Sequence, residues 1–153
     1  MNKVVNNALA LLLIFSMTFT GGLPLKAQEN QDDKSEGVAF HKGSWDEALE
    51  KSKEKGKPIF VDAYASWCGP CKWMTRNVFT DDKVGDYYNK HFVNVKLDME
   101  KGEGRNFARK YGVSAYPTLL YLNSDGKVVH KVRGAKRVEG FIKEGKKANA
   151  HFD

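Results

Sequence analysis

Cysteine is scarce in this 153-residue chain, present only as Cys68 and Cys71, and the features that would give such a pair another use are absent too. A structural zinc site takes four ligands, and the four histidines, His41, His91, His130 and His151, are scattered without ligand spacing. Covalent haem attachment requires a histidine directly after the second cysteine, where Lys72 stands. No apolar run reaches the ~20 residues of a membrane-spanning helix. There is no internal repeat, no low-complexity tract and no composition shift to mark a second domain. Nor is there a strong charge imbalance: 25 Lys and Arg face 19 Asp and Glu. The densest basic cluster, Lys143, Lys146 and Lys147, lies with Glu139 and Glu144 in the last helical segment, which reads as a solvated helix face and not as a nucleic-acid surface.

What the chain does have begins at its N-terminus. Lys3 precedes an apolar core from Ala8 to Phe19, then Gly21, Gly22, Pro24 and Leu25-Lys26-Ala27. This is the tripartite pattern of a secretory signal, with cleavage expected after Ala27. The polar stretch Gln28 to Lys34 follows. An uncleaved N-terminal anchor is the alternative, and no cysteine near the cut offers a site for lipid. The expected organisation is a signal peptide over 1–27, a polar leader over 28–36 and one folded domain over 37–153, in a periplasmic or secreted protein. With Lys3 and Lys26 removed from the 25 basic residues, the mature chain of 126 residues carries +4, a size that suits one domain. In an oxidising compartment two such cysteines pair, and a pair working there as a reductant needs an electron donor.

The cysteines sit two residues apart between an apolar run, Ile59 to Tyr64, and a helix-compatible segment, which predicts a strand-to-helix turn. A thiolate is the nucleophile in disulfide exchange, and an ordinary cysteine near pKa ~8.5 is mostly protonated at neutral pH. At the first helical turn the unpaired backbone N–H groups and the positive end of the macrodipole favour an anion. Cys68 is therefore expected to be the nucleophile, and Cys71, one turn further in and less exposed, the resolving thiol that releases reduced substrate. Pro70 lacks an N–H to leave unpaired, and Gly69 permits a tight turn without a side chain before the incoming disulfide. An inert structural disulfide is the alternative, although so short a loop gains little from chain entropy.

Periodicity places the remaining elements. Val38 to Phe40 reads as a short edge strand, and Ser44 with Glu47 as a capping box opening a helix that Gly56 and Pro58 end. Trp45 is expected as a core anchor of that helix. The helix after Cys71 should reach about Val78, and a second should start at Thr80-Asp81-Asp82 and end near Asn89. A strand over 92–98, a helix through Phe107 and Tyr111 capped by Gly112, and a strand over 119–122 follow. The Asn123 to Gly126 turn leads to a returning strand over 127–132, and a last helix runs from about Arg137 to Asn149. Asp62 interrupts an otherwise apolar strand. It is expected either to lie buried behind the cysteines as a proton acceptor for Cys71 or to be edge-exposed without a role.

The hexapeptide Trp67-Cys68-Gly69-Pro70-Cys71-Lys72 is similar to the active-site signature of the thioredoxin family. The likeness extends from Lys57-Pro58 through Pro117-Thr118-Leu119 to Gly134-Ala135. It implies an α/β thioredoxin fold, a central mixed β-sheet flanked by helices on both faces. It also implies chemistry without an organic cofactor or metal, with electrons passing from a membrane or soluble dithiol donor to disulfide-containing client proteins. By resemblance, Asp62 matches the family's buried aspartate and Lys96 the lysine beside it. Pro117 matches a cis-proline facing the disulfide, the Tyr116 backbone and the Gly134 loop match a groove for an extended substrate segment, and Trp67 flanks the pair.

Lys55 to Pro58, Asp62 to Ala65 and Val78 to Val84 resemble exported members of the family, including the C-terminal domain of the transmembrane disulfide reductase. Tyr116 stands where a smaller aliphatic residue is common, either narrowing the groove or simply packing. The Gly-Pro dipeptide resembles reductive members, whereas oxidases and isomerases usually carry a histidine there. The expected function is therefore an exported protein-disulfide reductase, with disulfide isomerase and a non-catalytic binding or holdase module as alternatives. Nothing points beyond a monomer.

Overall fold

The computed structural model describes residues 36–152; the expected signal segment and most of the polar leader lie outside the described residues. The element order is α1 (Trp45–Lys55), β1 (Ile59–Tyr64), α2 (Gly69–Asn77), α3 (Asp82–His91), β2 (Val93–Asp98), α4 (Gly104–Tyr111), β3 (Thr118–Leu122), β4 (Val128–Arg133) and α5 (Val138–Asn149). The strands form one sheet in the order β2-β1-β3-β4. β1 runs parallel to β2 and antiparallel to β3, and β4 returns antiparallel to β3. This is the mixed sheet expected from the sequence. No helix among the described residues is long and apolar enough to cross a membrane.

Local chemistry sets the ends of the elements. Ser44 and Glu47 satisfy each other's backbone N–H groups at the start of α1, and Gly56 closes it in the left-handed conformation. Asp81 caps α3 through the N–H groups of Lys83 and Val84. The helix then runs two residues past the expected end, to His91. The expected strand at Val38 to Phe40 is reduced to one parallel bridge, Phe40 to Asn94, because the Val38 N–H goes to the Phe79 carbonyl instead of a strand. β4 starts at Val128, not Lys127, where the pairing with β3 shifts register beside Tyr121 and Leu122.

Alternation along β1 divides the core. Ile59, Val61 and Ala63 face one side with Leu120 and Leu122, under Trp45 and Leu49 of α1 and Phe107 and Tyr111 of α4. Phe60 faces the other with Leu119 and Tyr121, under Met74 of α2, Val84 and Tyr88 of α3 and Phe141 of α5. Each such fully buried side chain contributes on the order of 1.5–3 kcal/mol. Tyr88 and Tyr121 bring hydroxyls into this second layer. They hydrogen-bond to each other at 2.7 Å, and Tyr88 donates to the Phe141 carbonyl at 2.7 Å. Burial raises both phenols well above their ordinary pKa. Gly145 in α5 permits the approach of α3: a Cβ there would stand 2.9 Å from the Tyr88 hydroxyl.

Candidate active site

β1 ends at Tyr64, and the chain turns through residues 65–67 into α2, with the Cys68 N–H bonded to the Ala65 carbonyl at 3.0 Å. Cys68 occupies the position just before the helix, with extended backbone, and its Sγ accepts the Cys71 N–H at 3.2 Å. One otherwise unpaired donor of the first turn is thus directed at sulfur. Cys68 and Cys71 form a disulfide, S–S 2.09 Å, with Cα atoms 5.3 Å apart. The expectation that Cys71 is the less exposed of the two is not met, since both are 2% exposed. The reason is that Cys68 folds back over the helix end, while Tyr64 and Tyr116 pack against the pair together with Ala65.

Pro70 lies in the first turn, where a missing N–H costs nothing. Gly69 is an ordinary helical residue here and not a tight-turn residue. A Cβ on it would meet nothing within 4 Å, so the space before the disulfide is open.

Asp62 is fully buried on the central strand, on the face that β1 turns toward α2, which overturns the edge-exposed alternative. β1 and β2 pair in register at Asp62 and Lys96. One carboxylate oxygen, Oδ2, forms an ion pair with the Lys96 ammonium. The other, Oδ1, is buried with no hydrogen-bond partner among the described residues. Burial pushes the Asp62 carboxyl above its ordinary pKa, and the charge and hydrogen bond of Lys96 offset this only in part. The Lys96 ammonium also lies over the Tyr64 ring at 4.5 Å and donates to Thr75 Oγ1 at 3.1 Å. The Thr75 hydroxyl donates in turn to the Cys71 carbonyl at 3.1 Å. A polar chain therefore connects Asp62, through Lys96 and Thr75, to the backbone of Cys71. Beside it a cavity of about 340 Å³ has Cys71, Thr75, Lys96, Lys72 and Arg76 in its walls. Thr75 escaped the sequence reading, although its place one helical turn after Cys71 was the available signal.

The remaining candidates are Trp67, Tyr116, Pro117 and Gly134. Trp67 is 66% exposed; its indole N–H donates to Glu100 Oε2 at 2.9 Å, and its ring meets Tyr116 edge to face at 5.9 Å. Tyr116 thus packs against both the cysteines and Trp67. Burial raises its phenol pKa, as do the carboxylates of Glu100 and Asp98. The Tyr116-Pro117 peptide bond is cis. Gly134, with φ of 84° in the left-handed region, donates its N–H to the Pro117 carbonyl at 2.8 Å, and a Cβ there would meet nothing within 4 Å. Glu100 is a second residue the sequence reading missed, because only the fold brings it to Trp67.

Comparison with known proteins gives a consistent picture. The family described as a thioredoxin-like domain matches residues 45–149. A thioredoxin H-type from Oryza sativa subsp. indica is 38% identical over 104 residues, 65% of this chain and 77% of that protein. The thiol:disulfide interchange protein DsbD of Yersinia pestis (strain Pestoides F) is 32% identical over 92 residues, 60% of this chain and 15% of that much longer protein. The solution structure of a candidate disulphide-isomerase from Bacteroides thetaiotaomicron is 48% identical with a TM-score of 0.67, covering 74% of this chain and 94% of that one.

Proposed function

The chain belongs to the thioredoxin-like family as a thiol-disulfide oxidoreductase with its redox pair at Cys68 and Cys71, and we propose that it is an exported reductase of protein disulfides. In the reduced protein the Cys68 thiolate attacks one sulfur of a client disulfide, forming a mixed disulfide and expelling the other client sulfur as a thiolate. Cys71 then loses its proton and attacks Cys68, which releases the second client thiolate and restores the Cys68–Cys71 disulfide. The client gains two electrons, and a dithiol donor protein, membrane-bound or soluble, returns them by the same exchange.

The observation that carries this reading is the Cys71 N–H aimed at Cys68 Sγ at the start of α2. A donor there stabilises negative charge on Cys68 in the reduced state. Asp62 takes the proton of Cys71 by way of water, and Lys96 keeps that carboxylate within reach of ionisation. Trp67, Gly69, Pro70, Tyr116, Pro117 and Gly134 line the binding groove for an extended client segment. The reductive direction follows from the absence of histidine between the cysteines, since a histidine would stabilise the thiolate and make the couple more oxidising. Export follows from the tripartite N-terminal segment, with cleavage after Ala27.

Cys71→Ser tests the assignment. It should trap clients as mixed disulfides on Cys68, and Cys68→Ser should trap none. Equal trapping by both variants, or unchanged client handling by Cys71→Ser, would reject the two-step exchange and favour a binding module. The likeness to the Bacteroides thetaiotaomicron candidate disulphide-isomerase supports isomerase work as a second reading. An isomerase would reactivate scrambled, fully oxidised substrate without a stoichiometric electron donor, which a reductase does not.

A further inference from the structure

Trp67 is a large aromatic ring, mostly open to solvent, directly beside the attacking cysteine. It is held at two points, by the hydrogen bond from its indole N–H to Glu100 Oε2 and by its edge-to-face contact with the Tyr116 ring. Glu100 is anchored as well. Its backbone N–H donates to Asp98 Oδ1 at 3.1 Å, and its carbonyl accepts from Arg105 Nε at 2.6 Å. One oxygen of its carboxylate is engaged by Trp67. The other makes no hydrogen bond, and Glu100 forms no ion pair, among the described residues. Arg105 is committed to the main chain and not to this carboxylate.

A fixed aromatic face with an available carboxylate oxygen at its edge is the chemistry that recognises an ammonium or guanidinium group. The ring attracts the cation, and the carboxylate accepts a charge-assisted hydrogen bond. Arginine suits it best, because a planar guanidinium stacks and donates at once. The α2 side supplies the contrast, since Lys72 and Arg76 stand in the cavity wall beside Cys71. A positive client side chain is drawn toward Trp67 and away from α2. We propose that Glu100, with Trp67 and Tyr116, forms a subsite for a basic residue flanking the reacting cysteine of the client, so that this enzyme prefers disulfides in basic sequence context. The inference rests on the reading that the chain reduces protein disulfides.

The test uses three synthetic peptides, each with one disulfide and identical except for Arg, Gln or Glu beside the attacked cysteine. The purified protein reduces them with a dithiol as electron source. The expected order of kcat/KM is Arg, then Gln, then Glu. The Arg-to-Glu ratio should be about fivefold to tenfold at low ionic strength and shrink as salt is added. Glu100→Gln keeps an acceptor for the Trp67 indole and should bring the ratio close to one, and Glu100→Lys should invert it. Equal rates, a preference for Glu, or a ratio that neither variant moves would overturn the subsite while leaving the reductase reading intact. No reduction of any of the three would overturn both.

Discussion

The two faces of β1 divide its six residues, three to each, and do opposite work. On one face Ile59, Val61 and Ala63 are wholly apolar, fully buried and closed over by α1 and α4. On the other, Phe60 joins an aromatic cluster, but its neighbour along that face is Asp62, as deeply buried and only half satisfied. The first face supplies stability without chemistry. The second gives up stability, a cost contained by one lysine from the adjoining strand, and in the proposed mechanism it does so to move a proton near Cys71.

The largest contrast comes from the apolar face. Leu120→Ala, in the layer with Val61, should cost about 2–5 kcal/mol of unfolding free energy through lost burial and a residual cavity. The reduction potential of the cysteine pair should stay unchanged. A shifted potential would mean that the two faces are not separable. Chemical denaturation and thiol-buffer equilibration measure the two quantities.

Asp62→Asn should do the reverse. It removes a buried carboxylate whose partner, Lys96, is 23% exposed and turns to the cavity without being stranded. Stability of the oxidised protein at neutral pH should rise by about 1–3 kcal/mol. The sign follows from linkage. The folded carboxyl holds its proton more tightly than the unfolded one, so its contribution is favourable at low pH and is lost as pH climbs from the ordinary value of 3.8 through the raised folded value. The variant should lose that decline, and its gain over the parent should vanish in acid. Release of client from the mixed disulfide should slow by about a hundredfold or more, the scale of a missing general base. A variant that is destabilised at neutral pH, or resolves at the parent rate, would break the comparison.

Thr75→Val is the smallest perturbation. It removes the hydroxyl between Lys96 and the Cys71 carbonyl and should cost about 1 kcal/mol of stability. Resolution should slow by less than in Asp62→Asn, in the same stopped-flow assay.

Much of this was legible from residue patterns. Ser44 and Glu47, Gly56, Asp81 and Gly112 announced helix ends because capping is local chemistry. Asp62 stood out as the one charged residue in the apolar run of β1. Whether it was buried or edge-exposed depended on β3 pairing beyond β1, a long-range fact that composition does not carry. The same holds for Glu100 beside Trp67, more than thirty residues away along the chain, whereas Lys96 opposite Asp62 was legible through the family resemblance and not through any local pattern. Val38 to Phe40 has strand-like residues, but one carbonyl of the Phe79 turn diverts it. Local signals named the parts, and tertiary pairing decided which of them met.

In the proposed reductase the Cys68 thiolate is stabilised by the Cys71 N–H at the start of α2, with no histidine between the cysteines. The most direct measurement is the reduction potential of the Cys68–Cys71 couple, equilibrated against a thiol buffer. The account predicts a value close to the roughly −270 mV of thioredoxin. A value between about −180 and −120 mV, the range of isomerases and strong oxidants, would contradict it.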